Sequence, residues 1–276
     1  MEQQNRPVPP DAARRMKRSQ REARRRRRRL RIVRNWALFL AACGCVMALM
    51  TSGILWLLPR AHALIAGPEA FEARTYDGAD YRFDGTDPRL VLVNNNLSLA
   101  QEPQPGLSVA DDATGQQLEA EAAEAYRRMA AAAQADGIGL VLVTGWQDAA
   151  ARQAAFDAQQ QLYLKKGYSA QDAAAHARTI VPEPECNELA TGYGAEILSE
   201  DYTTRDTGFA RTRAYEWLSA YAAEYGFILR WPEDRQAATG MVFEPWHWRY
   251  VGPENALAIR ASGYSLEGFL ALERMK

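Results

Sequence analysis

The sequence predicts an α+β domain carried behind a single N-terminal transmembrane helix, and three observations lead there. Over residues 88–276, short apolar runs suited to buried strands are interspersed with helical periodicity, without internal repeat. Trp36 to Leu58 is a stretch of 23 residues without a charge, with Thr51 and Ser52 its only hydroxyls. Charge is also strongly divided. Residues 1–35 hold 14 Lys and Arg against three acids, a net +11, whereas the remainder of the chain is −12.

The basic arm includes an unbroken run from Arg24 to Arg29 and, alone, would suit nucleic acid. The stretch that follows assigns it to membrane targeting instead. At ~1.5 Å per residue, a helix over residues 36–58 reaches about 34 Å, enough to cross the hydrocarbon core. Basic residues ahead of the span place the N-terminus in the cytoplasm and residues 59–276 outside. The arginines also favour anionic lipid head groups. The expected organisation is a basic tail (1–35), an uncleaved signal anchor (36–58), a stalk (59–87) and one domain (88–276). Ala61-His62-Ala63 has the spacing of a leader-peptidase site, so a cleaved leader is the alternative.

Cys43 and Cys45 lie in the span, which leaves Cys186 alone outside and no internal disulfide. Cys186 is then buried, a free thiol, or paired between chains. A catalytic thiolate would need a histidine, and the chain offers only His62, His176 and His247.

Within the domain, Leu90 to Val93 fits a buried strand ended by the turn Asn94-Asn95-Asn96. Leu118 to Ala135 places Leu118, Ala122, Tyr126, Met129 and Ala133 at helical spacing, and Asp136-Gly137 closes it. Leu140 to Val143 reads as the next strand, followed by a helix from about Asp148. Ser169 with Asp172 starts another helix through a variant capping box, ending near Thr179 before the Pro182 and Pro184 loop. Ala210 to Tyr225 is amphipathic, with Gly226 as its stop. Phe227 to Arg230 and Trp246 to Val251 read as strands, and Glu254 to Ser262 and Ser265 to Leu272 as closing helices. Roughly 190 residues suffice for a core.

Three segments carry chemistry: Val143-Thr144-Gly145-Trp146-Gln147-Asp148, Asn187-Glu188-Leu189-Ala190-Thr191-Gly192-Tyr193-Gly194-Ala195-Glu196, and Glu244-Pro245-Trp246-His247-Trp248-Arg249-Tyr250. They resemble S-G-Y-R-S, S-E-H-x-T-G-x-A-x-D and E-P-W-H-x-R-Y of the VanY-type D-alanyl-D-alanine carboxypeptidases. Those are zinc peptidases of the LAS superfamily that trim cell-wall stem peptides. Tyr225 to Pro232 and Thr239-Gly240 also match the family pattern, so the resemblance spans about residues 88–274. It implies a small antiparallel sheet flanked by helices.

The resemblance also implies roles. Glu244 stands at the general-base position, and His247 and Glu196 at two of the three zinc-ligand positions. Leu189 occupies the position of the missing His. Gln147 replaces the Arg implied to bind the substrate's terminal carboxylate, and Thr191 falls with the substrate-binding residues. Trp146 and Tyr193 either line that groove or pack as core aromatics. A catalytic zinc takes three protein donors and one open position, so zinc, the family's cofactor, is expected to be absent or weakly bound. The expected function is a membrane-anchored, carboxypeptidase-like protein of the cell envelope, catalytically impaired, whose partner is a stem peptide or muropeptide. The alternatives are an active D,D- or L,D-carboxypeptidase with a rebuilt metal site, and a non-enzymatic envelope scaffold.

Overall fold

The computed structural model describes residues 87–274. The expected span and basic tail lie outside the described residues. Among the described residues no helix is long and apolar enough to cross a membrane.

A hairpin of β1 (Leu107–Asp111) and β2 (Gln116–Glu119) leads into α1 (Ala120–Ala135). Strand β3 (Leu140–Thr144) follows, then α2 (Ala149–Lys165) and α3 (Ala170–Ala177). Next come β4 (Gly194–Ser199), α4 (Arg213–Tyr221), β5 (Phe227–Leu229) and the single turn α5 (Gln236–Thr239). The chain closes with β6 (His247–Tyr250), α6 (Pro253–Ser262) and α7 (Leu266–Arg274). Strands β3, β4, β6 and β5 form, in that order, one antiparallel sheet. The α+β class with a small antiparallel sheet and flanking helices is what the sequence predicts.

The apolar periodicity of α1 is used as written: Leu118, Ala122, Tyr126, Met129 and Ala133 are all buried, packed in one core with Leu142 of β3 and Ala195 and Ile197 of β4. Because side chains alternate along a strand, Glu196, between Ala195 and Ile197, points to the opposite face. Helices α2 and α3 make a hairpin with its own apolar cluster around Phe156, Tyr163, Ala173 and Ala177. Asp148 and Ser169 cap these two helices through their side chains, as expected.

Three expectations are corrected. Leu90 to Val93 is not a ladder strand: Pro88–Leu90 is a 3-10 turn capped by Asp87, and the carbonyls of Arg89 and Val91 accept from Arg249 Nη2, each at 3.1 Å. A buried guanidinium satisfies this backbone where a neighbouring strand would have done so. The predicted helix from Ala210 starts only at Arg213, where Thr212 accepts from the Tyr215 N–H, and its last turn, Ala222–Tyr225, tightens to 3-10. Residues 118 and 119 belong to β2, so α1 begins at Ala120.

Candidate functional site

The site is built on a row of residues across the sheet. Thr144 of β3 pairs in register with Glu196 of β4, and Glu196 with His247 of β6. Cross-strand partners share a face, so three residues from the three sequence motifs stand side by side. Glycine at 145 is required by the approach of β2: a Cβ there would lie 2.2 Å from the Gln117 carbonyl oxygen. That oxygen accepts from the Trp146 N–H at 2.7 Å, and the turn it fixes delivers Gln147 to the site.

Glu188 and Leu189 come from a short 3-10 turn, Glu188–Thr191, ended by Gly192 at φ 76°. Glu188 is buried and ties the site to the interior. Its Oε2 accepts from Arg230 Nε at 2.9 Å and Arg249 Nη1 at 3.1 Å, while Oε1 lies 3.0 Å from His247 Nε2. Arg230 also bonds both carboxylate oxygens of Glu267, at 3.1 and 2.7 Å. Burial would raise the Glu188 carboxyl, but Arg230, Arg249 and His247 outweigh it and hold the group well below the usual carboxylate range. Burial would likewise lower His247, yet its contacts with Glu188 and Glu244 push it up to about 9. Burial pushes the Glu244 carboxyl up to about 7, against partial opposition from His247, whose Nδ1 is 3.5 Å away.

Above this row lies a cavity of about 270 Å³, with Gln147, Leu189, Glu196, Arg205, Glu244 and His247 among its walls. Four positions assigned to catalysis or metal (Glu244, His247, Glu196 and Leu189) are thus brought together with Gln147. Trp146, Thr191 and Tyr193 are engaged elsewhere. Trp146 Nε1 donates to the Ala190 carbonyl at 3.1 Å. Thr191 Oγ1 donates to the Glu188 carbonyl at 2.7 Å and accepts from the Tyr193 N–H, closing the turn. Tyr193 stacks on Tyr250 beneath the Arg249 guanidinium.

Two wall residues were not expected at the site. Arg205 reaches in from the loop after β4: its Nε donates to Glu196 Oε2 at 2.8 Å and its Nη2 to Thr144 Oγ1 at 2.5 Å. Trp231 is buried against His247 and the Arg230 guanidinium, 3.8 Å from its ring centre. Nothing periodic or motif-like marks Arg205 in Thr203-Thr204-Arg205-Asp206, and Trp231 reads from sequence as one more apolar residue of its block.

These donors do not fit a catalytic zinc, which takes three protein ligands. Leu189 offers none, Glu196 is held by Arg205, and His247 Nε2 faces Glu188. Among the described residues no three His, Cys, Asp or Glu side chains gather as a metal site. Leu189 is packed in place instead: a Cβ at Gly194 would lie 2.9 Å from its Cδ2. The family motif has alanine where Gly194 stands, so the leucine branch fills space that an alanine methyl would need. Cys186, the one free cysteine among the described residues, is buried, and burial pushes its thiol up to about 11. That keeps it protonated near neutral pH and unsuited to nucleophilic attack.

The VanY family model, described as D-alanyl-D-alanine carboxypeptidase, matches residues 115–253. A D-alanyl-D-alanine carboxypeptidase of Enterococcus faecalis is 30% identical over 206 residues, covering 74% of this chain and 73% of that protein. VanYB solved in complex with D-alanine-D-alanine superposes with a TM-score of 0.60 at 29% identity, over 66% of this chain and 97% of that one. A mutant of the vancomycin-resistance D,D-pentapeptidase VanY in complex with Zn(II) also gives a TM-score of 0.60 at 29% identity, over 67% of this chain and 99% of that one. The motif residues, the sheet that aligns them and these likenesses together place the chain in the VanY family of D-alanyl-D-alanine carboxypeptidases.

Proposed function

We propose that this protein binds peptidoglycan stem peptides in the cavity over the β3–β4–β6 row and is impaired in hydrolysing them. The observation that carries the reading is the pairing of Leu189 with Gly194 beside a cavity that keeps Glu244 and His247. The pocket persists while one zinc donor is a hydrocarbon and a second, Glu196, is neutralised by Arg205. Zinc chemistry in such a site requires a metal-activated water with a nearby carboxylate to take its proton. Glu244 is placed for the second role, but the donors for the metal are incomplete. The stem peptide as ligand class is supported by family membership and by the D-alanine-D-alanine complex of VanYB.

The test uses the full chain in detergent, supplied with zinc and a stem pentapeptide ending in D-Ala-D-Ala. The peptide should be retained and recovered at full length. Release of D-alanine that vanishes on Glu244→Gln would overturn the reading and establish a working carboxypeptidase.

The same proposal places the domain outside the cytoplasmic membrane, held by residues 36–58 with the Arg-rich tail inside. Its support is the uncharged 23-residue stretch and the +11 arm before it. The chain should remain with membranes through a carbonate wash. Release by that wash would remove the anchor.

A further inference from the structure

Arg205 stands out because its contact contributes little to folding. Its side chain is 46% exposed and that of Glu196 17%. Ion pairs at such exposure add little to stability. Yet the guanidinium spans three elements: it starts from the loop after β4, caps Glu196 at the centre of the sheet row, and reaches Thr144 on β3. That places a fixed cation in the wall of the cavity, beside the residue that stands at a zinc-ligand position.

The remaining edge of Arg205 faces no acceptor. Its Nε and Nη2 are taken by Glu196 and Thr144, and no bond engages Nη1 among the described residues. A second cavity wall residue, Trp231, is 1% exposed, and its indole N–H likewise has no acceptor among the described residues. A buried donor without a partner is costly to leave unmade, so its presence in a residue of the cavity wall points to an acceptor supplied by a ligand. Asn187 adds to the imbalance: its Oδ1 is engaged by the Leu189 N–H, which leaves its amide nitrogen for the cavity it also lines. The carboxylates do not reverse this balance. Glu196 is matched by Arg205, and Glu244, the other carboxylate of the wall, by His247 at 3.5 Å.

We infer that Arg205 is the ligand-recognising residue of a metal-free pocket, where its guanidinium, with the Trp231 N–H as a second donor, takes the terminal carboxylate of a bound peptide. The inference rests on the peptide-binding reading above and gives it a specificity residue. Arg205 supplies, from the wall of the same cavity, the cationic recognition that a neutral amide at Gln147 cannot.

The test compares affinities of the full chain for a stem pentapeptide with a free C-terminal carboxylate and for the same peptide as its C-terminal amide, with EDTA present. Wild type should prefer the acid by about tenfold or more, as expected for a charge-assisted contact. Arg205→Gln should bring the two affinities together without moving Tm, and Trp231→Phe should narrow the gap by several-fold. If Arg205→Gln keeps the wild-type preference, or if wild type binds acid and amide equally, the inference fails while peptide binding stands. If EDTA abolishes binding, a metal and not Arg205 is the cation of the pocket. If neither peptide binds with or without EDTA, the peptide-binding reading fails and takes the inference with it.

Discussion

At the scale of single residues, Leu189 and Gly194 compete for one space beside the cavity. Leu189 is buried, and the space its Cδ2 fills is the space a β-carbon on residue 194 would need. Gly194→Ala should therefore cost about 1 kcal/mol from overpacking. With Leu189→Ala already in place, the same change should be neutral or stabilising, because alanine costs less backbone entropy than glycine in a strand. Urea unfolding of both single variants and the double gives the coupling, and simple additivity would show that the two side chains do not share that space. Leu189, Glu196 and Gln147 were visible as departures in the sequence because each interrupts a recognisable pattern. Arg205 was not, since a loop arginine has no period and only the fold carries it to Glu196. The structural engagement of Thr191 was equally illegible, because hydrogen bonds that close a 3-10 turn leave no mark beyond residue type, whereas Tyr193 packs as a core aromatic, one of the two readings its sequence allowed.

At the scale of elements, helical periodicity was the most legible signal. Helix α1 buries the positions its spacing marks, and Asp148 and Ser169 cap α2 and α3 where their side chains predict. Strands were less legible. β4, the centre of the site, begins at Gly194 and interrupts its apolar residues with Glu196, so its sequence does not announce a strand. Leu90 to Val93 announced one and does not form it, because Arg249 rather than a neighbouring chain satisfies its carbonyls. Such substitution of guanidinium for backbone recurs in α2. The buried Arg152 donates to the carbonyls of Gln147 and Pro184, at 2.6 and 2.9 Å, and to Glu102, fixing three loops at once. Arg152→Met should destabilise by about 2–3 kcal/mol, since it leaves those acceptors without a partner. A loss under 0.5 kcal/mol in urea would mean that the loops are held by other contacts.

At the scale of the whole molecule, the buried network of Arg230, Arg249, His247, Glu188 and Glu267 joins the sheet, the 3-10 turn before β4 and α7. Its titration should shape stability across pH. His247 is raised from 6.5 to about 9, so its stabilisation is complete below about 6.5 and is lost as pH rises through 9. Glu244 is raised from 4.5 to about 7, so its contribution is complete below 4.5 and is lost as pH rises through 7. Glu188 is lowered, and its stabilisation, present above 4.5, is lost as pH falls below that value. Each additional proton held by the fold is worth about 1.4 kcal/mol per pH unit. Thermal melting should therefore peak on the acidic side of neutrality and decline toward pH 9, and His247→Gln should flatten the alkaline limb. A wild-type Tm that climbs from pH 6 to 9 would contradict this account of the network.

Metal stoichiometry decides whether the VanY scaffold here keeps its pocket without zinc. The full chain, equilibrated with zinc and then desalted, should retain well under one zinc per molecule, with or without His247→Ala, because the donor set lacks the ligands a tight site takes. Close to one zinc per chain, lost on His247→Ala, would contradict the account and show that the site has been rebuilt around a donor other than Leu189.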